Sequence, residues 1–336
     1  MKNLAILFCA TVLITSCSSS QNKPEKSADP EIYAKTITAS ELKDMLYTYA
    51  SNDFEGRKTG QPGQKKAVEF IKSHYVTAGI VSPITAGDYF QEIPASYFNK
   101  SGIEDSENVL AYIKGSEKPD EIIIISAHLD HIGISGNDDI NNGADDDGSG
   151  TVAILEIAEA FKAAKKAGHN PKRSILFLHV TGEEIGLLGS RYYADVDPVF
   201  PLKNTVANLN IDMIGRVDPK HEASGKNYLY LIGSDKLSKE LHNLSEDVNK
   251  EYFNLEFDYT YNDDNDPNRF YYRSDHYNFA KNNIPVIFYF NGTHADYHKP
   301  SDTPDKINYE FLETRTRLIF HTAWELANRD ERVKVD

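Results

Sequence analysis

The chain has 336 residues, is 40% hydrophobic and 26% charged, and carries a formal net charge of −15. That is ordinary globular composition with enough length for a large core. So acidic a balance argues against a nucleic-acid binder, which needs a basic footprint, and suits cationic ligands or metal ions instead.

In chain order, Met1-Lys2 is followed by an apolar run from Leu4 to Ile14 and then "TSCSSS". A short basic start, an apolar stretch of this length and small residues after it read as an export signal over residues 1–16, not as a membrane span. Nothing after residue 17 approaches the run of roughly 18 apolar residues that a spanning helix needs. "LITSC" is similar to a bacterial lipobox, which makes Cys17 the lipidated first residue of the mature chain; plain secretion with cleavage nearby is the other reading. The expected location is therefore outside the cytoplasm, on the periplasmic or cell-surface side, with membrane contact only through a lipid on Cys17. Cys9 is lost with the signal, so no disulfide and no free thiolate remain, and any metal site must be built from His, Asp and Glu.

Residues 17–30 are small, polar and proline-bearing, and read as a flexible tether. Ser40 stands where it would cap a helix over "ELKDMLYTYAS", with Leu42, Met45, Leu46 and Tyr49 on one face. "EGRKTGQPGQ" reads as a loop and "KKAVEFIKSHYVTAG" as a helix ended by Gly79. Residues 80–108 carry no clear period. From Glu107 onward strands and helices alternate. "NVLAYIKG" and "EIIIISAHLDH" are strands, the second apolar enough to be buried on both faces. "TVAILEIAEAFKAAKKAG" is an amphipathic helix with Ile154, Leu155, Ala158 and Phe161 in register. Then come strand "RSILFLHV", helix "GLLGSRYYA", strand "VANLNIDMIG", helix "KLSKELHNLSEDVNKEY", strand "IPVIFYF" and a closing helix "YEFLETRTRLIFHTAWELAN". The alternation predicts a three-layer α/β/α sandwich around a mixed, mostly parallel sheet. No repeat or linker divides residues 31–336, which read as one domain.

In open α/β sheets ligands bind beyond the carboxyl ends of the strands. Each predicted central strand delivers a histidine or carboxylate there: His128 and Asp130, "NNGADDDGSG", Glu183-Glu184, Asp212, and "NGTHADYHKPSDT". Each alone has an ordinary explanation. His128 could be a core histidine, and adjacent glutamates suit a solvated helix start. Together they form a set of nitrogen and oxygen ligands for a metal. His128 and Asp130 are two apart on an extended segment and share a face. A carboxylate beside a ligating imidazole fixes its tautomer. Three consecutive acids, Asp145-Asp146-Asp147, would repel without a cation. A helix cap accounts for one of them, and a weakly held calcium is a further option. "NDDNDP" at 262–267 reads as a solvated acidic loop or a calcium site.

The segments "SAHLDH", "NNGADDDGSG", "TGEEIGLLGS", "NIDMIG", "RSDHYNF" and "DYHKPSDT", in this order, resemble the M28 family of dinuclear zinc aminopeptidases. "DFEGRKTGQPGQKKAVEFI" is similar to the stretch that opens the family's domain, so the resemblance runs from about residue 53 to about 308. It implies two zinc ions in a single zinc peptidase domain, with His128, Asp146, Glu184, Asp212 and His298 as ligands and Asp146 bridging. It implies Asp130 as the carboxylate that orients His128, and Glu183 as the general base. Tyr271 falls where some members place an oxyanion donor, with Tyr272 as the alternative, and Asp275 and His276 resemble a structural pair beside the site. The implied activity is hydrolysis of peptides with a free N-terminus. Glutaminyl cyclases share the fold and use one zinc, but carry tryptophans around the site. Here the single tryptophan is Trp324, and Tyr297 precedes His298. A binding protein on a dead hydrolase scaffold would typically have lost ligands, and none is missing. The walls that select the first substrate residue are expected from residues 80–106 and 252–273.

Overall fold

The computed structural model describes residues 29–85 and 87–336; the export signal, Cys17 and nearly all of the tether fall outside these residues. The helices are α1 (Glu31–Ala34), α2 (Ala39–Tyr49), α3 (Pro62–Ala78), α4 (Ala95–Phe98), α5 (Gly150–Lys166), α6 (Leu188–Asp195), α7 (Lys239–Tyr252), α8 (His276–Ala280) and α9 (Tyr309–Asn328). The strands are β1 (Phe90–Ile93), β2 (Ser106–Ile113), β3 (Lys118–His128), β4 (Arg173–Val180), β5 (Thr205–Ile211), β6 (Tyr228–Ile232), β7 (Glu256–Asp258) and β8 (Val286–Phe290). They form one sheet in the order β1-β2-β4-β3-β5-β8-β6-β7. β3 runs parallel to β4 and β5, and β5 parallel to β8. β2 lies antiparallel to β4, and β6 antiparallel to β8.

The apolar run in β3 explains the layering. Ile123 and Ile125 join the core beneath α2, α3, α5 and α9, while Ile122 and Ile124 pack on the opposite face with Leu176, Leu178, Tyr193 of α6 and Phe279 of α8. A parallel strand covered by helices on both sides must be apolar at every position, not at alternate ones. The amphipathic face of α5 does what its period requires: Phe161 packs tilted against Phe320 and stacked on Trp324 of α9, with ring centroids 4.8 and 5.8 Å apart. Gly79, at φ +68°, closes α3 in the left-handed conformation that glycine adopts freely. Among the described residues no helix is long and apolar enough to cross a membrane.

Several boundaries differ from expectation, α3 for example starting at Pro62 inside the expected loop. The cap of α2 is Thr38, not Ser40: its hydroxyl accepts the Glu41 amide at 3.2 Å and donates to the Glu41 carboxylate at 2.6 Å. Thr38 at the N-cap and Glu41 three residues on are the residue types of a capping box, here with the carboxylate on the Thr38 hydroxyl, and the cap draws the helix start back to Ala39. β6 is a strand in a stretch whose sequence predicts no element, its five residues all buried. So short an apolar run shows no period of its own.

Because β3, β4, β5 and β8 are parallel, their carboxyl ends share one edge. His128 is the last residue of β3, and Asp212 directly follows β5. The glutamate pair follows β4 by two residues, and the loop after β8 leads to His298.

Candidate metal centre

The glutamates do not start a helix. They sit in a tight turn between β4 and α6, with Gly182 at φ +67° and the Gly186 and Leu187 amides bonded to the Glu183 carbonyl at 2.8 and 2.9 Å. The turn is anchored where the Gly189 amide donates to the Thr181 carbonyl at 2.8 Å; a Cβ at Gly189 would come within 2.1 Å of that oxygen. The Glu183 amide donates to Asp130 Oδ1 at 3.1 Å, which ties the turn to the end of β3.

The three consecutive aspartates divide their work. Asp147 is buried and accepts the amides of His128, Gly150 and Met213 at 3.2, 2.9 and 3.2 Å, stapling β3, α5 and the end of β5 together. Asp145 accepts the Gly215 amide at 2.6 Å and lies 3.2 Å from His294 Nε2. Backbone amides therefore hold Asp147 and one oxygen of Asp145, and neither of these two acids lines the cavity. Asp146 alone faces the cavity.

Around Asp146 the predicted ligands converge. Its Oδ1 lies 3.1 Å from His128 Nε2, which is also 3.6 Å from Asp212 Oδ1. Its Oδ2 lies 3.1 Å from His298 Nε2, which is 3.2 Å from Glu184 Oε2. Two atoms bound about 2 Å from one zinc ion at a tetrahedral angle stand roughly 3.3 Å apart, so each of these imidazole–carboxylate contacts has the spacing of two ligands on a shared ion; among the described residues the sets whose ligand atoms all lie within 4.8 Å of one another are His128, Asp147 and Asp212, and His131, Asp146 and Glu184. The donors, imidazole nitrogen and carboxylate oxygen, suit zinc. His128, Asp146 and Asp212 could hold one ion, and Asp146, Glu184 and His298 a second.

The electrostatics separate the two glutamates. Burial, then the charges of Glu184, Asp212 and Asp275, raise the Glu183 carboxyl well above its ordinary range, against the pull of His128. Burial and Asp146 act on Glu184 in the same sense, but hydrogen bonds from His131 and His298 outweigh them and hold it low. Burial acts to lower His298, yet Asp146 and Glu184 push that imidazole up to about 10. Glu183 lines the cavity with His128, Asp146 and Asp212, while Met213, Phe270, Phe288, Phe290, Thr293, Tyr297 and Arg273 form its other walls. Of the two segments expected to supply walls, 252–273 contributes Phe270 and Arg273, and no described residue of 80–106 lines the cavity.

The remaining predicted residues lie as follows. Asp130 orients His128 mainly through its backbone: His128 Nδ1 is 3.0 Å from the Asp130 carbonyl and 3.9 Å from its carboxylate. The carboxylate instead accepts the Thr59 hydroxyl at 2.6 Å and the Glu183 amide. Ser274 donates to Asp212 at 2.6 Å, and the neighbouring Asp275 accepts the Ser190 hydroxyl. His276 stacks on Phe288 at 4.7 Å. The structure does not bring Tyr271 to the ligands. Tyr271 and Tyr272 line a separate cavity with Lys236, Asp264 and Arg269. Tyr297 is the tyrosine at the metal cavity, stacked on His298 with centroids 3.9 Å apart. Burial and the four surrounding acids raise its phenol, so it stays a hydrogen-bond donor.

Two residues that sequence reasoning left without a role belong to the centre. Arg57, fully buried, donates to the carbonyls of Tyr49, Leu129, Asn142 and Gly143, and so ties the segment after His128 to the one that leads into Asp146. Its only signal was a lone arginine in a loop. His131 contacts Glu184. A separate surface groove lies at the opposite edge, where Lys118, Thr205 and Pro285 mark the amino ends of β3, β5 and β8, away from these groups.

Comparison with known proteins follows the same lines. The family model described as peptidase family M28 matches residues 108–323. Leupeptin-inactivating enzyme 1 of Streptomyces exfoliatus is 30% identical over 198 residues, covering 56% of this chain and 40% of that protein. Leucine aminopeptidase 2 of Trichophyton equinum is 25% identical over 323 residues, covering 81% of this chain and 60% of that protein. The matches thus span less than two thirds of these curated relatives. Among solved structures, LapB from Legionella pneumophila aligns with a TM-score of 0.70 at 22% identity, over 90% of this chain and 75% of that one. BSAP, a zinc aminopeptidase from Bacillus subtilis, aligns at 0.67 and 17% identity over 89% of this chain and 98% of that one. A glutaminyl cyclase from an Acidobacteriales bacterium aligns at 0.63 and 20% identity over 93% and 99%. At these identities the structures speak to the fold.

Proposed function

The chain belongs to peptidase family M28, and from that premise we propose that it is a zinc-dependent aminopeptidase, removing residues from the free N-termini of peptides with Glu183 as general base. The observation that carries this reading is Asp146, whose two oxygens each stand 3.1 Å from a different imidazole. His128, Asp146 and Asp212 would hold one zinc, and Asp146, Glu184 and His298 the other. When bound, the two ions would polarise a scissile carbonyl and bring the pKa of a water toward neutral. Glu183 shares the cavity and is hydrogen-bonded to neither imidazole. Its raised proton affinity suits a group that takes the proton of the attacking water and returns it to the leaving amine. The acids around the cavity attract an α-ammonium group. Met213, Phe270, Phe288 and Phe290 offer an apolar wall to the first side chain.

The one-zinc cyclase alternative finds no tryptophan in this cavity. Trp324 lies in the core, stacked on Tyr33 at 5.7 Å. The aminopeptidase reading is tested with leucyl and N-acetyl-leucyl peptides. Free leucine should be released from the first and not from the second, and an N-terminal aspartate in place of leucine should lower kcat/KM. Equal cleavage of blocked and free peptides would refute the exopeptidase assignment.

A further inference from the structure

His131 stands one residue beyond Asp130, on the loop that leaves β3. Its ring is 1% exposed. Nδ1 lies 2.7 Å from Glu184 Oε1 and 3.8 Å from Asp146 Oδ2. The other oxygen of Glu184 is the one that faces His298, at 3.2 Å. The two imidazoles thus divide one carboxylate between them, and their rings meet edge to face with centroids 5.8 Å apart.

The surroundings are built around this ring. The His131 amide donates to the Arg57 carbonyl at 3.2 Å, while the Arg57 guanidinium holds the Leu129 and Gly143 carbonyls on either side. Gly143 sits at φ +54°, and a Cβ there would come within 2.6 Å of the His131 ring. A left-handed glycine is therefore what leaves room beside it for the imidazole that reaches Glu184.

We propose that His131 is a positioning residue of the second metal site: its Nδ1–H donates to Oε1 of Glu184, which leaves Oε2 aimed at the position shared with Asp146 and His298. A carboxylate with one oxygen held by a donor is fixed in rotation and presents a single ligand atom. Such outer partners of ligands typically set metal affinity by 10- to 100-fold. The proposal rests on the reading of Glu184 as a metal ligand, so the test separates the two.

Zinc affinity is measured on metal-free protein by competition with a chromophoric chelator, for wild type, Glu184→Gln, His131→Leu and His131→Asn. Glu184→Gln should lose one of two ions; if it keeps both at wild-type affinity, the ligand reading itself fails. His131→Leu should weaken one ion about 10- to 100-fold and leave the other unchanged. His131→Asn, whose amide can donate from nearly the position of Nδ1, should restore most of that loss. Wild-type affinity in His131→Leu, with an ion lost in Glu184→Gln, would overturn the proposal alone. Equal loss in the leucine and asparagine variants would also overturn it, since the imidazole would then act as a ligand and not as a donor. Circular dichroism of the metal-free variants checks folding, and His131→Ser replaces the leucine variant if that one is unfolded.

Discussion

Glu183 and Glu184 show how neighbours in sequence acquire different chemistry. The turn after β4 aims them at different groups, so His131 and His298 hold Glu184 ionised while burial and carboxylates surround Glu183. The ligand types were legible because each stands at, or in the loop beyond, the carboxyl end of a strand. The division within Asp145-Asp146-Asp147 was not, because it depends on which backbone amides of distant segments come within reach, such as Met213 and Gly215. Arg57 was hidden for the same reason: its acceptors lie 8 to 86 residues away. Replacing it with methionine leaves buried carbonyls without donors and should cost on the order of 3 kcal/mol or more, read as a lower denaturant midpoint at unchanged m-value. A variant as stable as wild type would show that the clamp does not support the fold.

At the scale of elements, the long periodic segments were the readable ones. α9 and β4 begin and end where the sequence places them, because a helical period or an uninterrupted apolar run marks each. β1 and β7, of four and three residues, exist through pairing with β2 and β6, and short edge strands carry no period to read. Where α2, α5 and α9 meet, Glu156 is buried near Glu41, Glu159 and Glu313. Burial first, then these charges, raise it to about 8. Below about pH 4.5 the carboxyl is protonated in both folded and unfolded chains. As pH rises toward 8 only the unfolded chain ionises, so stability is lost at up to about 1.4 kcal/mol per pH unit. Glu156→Gln should therefore match wild type near pH 4.5 and exceed it at pH 8 in urea unfolding. A difference that does not change with pH would show that Glu156 ionises normally in the fold.

At the scale of the whole molecule, the parallel order of β4, β3, β5 and β8 gathers residues from 128 to 298 at one sheet edge. Strand alternation made that edge predictable, and with it the ligand set. The cavity walls were less so, since Met213, Phe288 and Phe290 come from strands and their ends, not from residues 80–106 or 252–273. Export and a lipid on Cys17 complete the proposal: Cys17→Ser should move the protein from the membrane pellet to the soluble extracytoplasmic fraction, and unchanged membrane association would remove the anchor. The central claim, that adjacent carboxylates hold a metal and move a proton respectively, is met most directly by zinc content measured together with peptide turnover in Glu183→Gln. The account predicts zinc content unchanged at two ions per chain with turnover lowered about 10²- to 10⁴-fold; loss of an ion, or turnover near wild type, would contradict it.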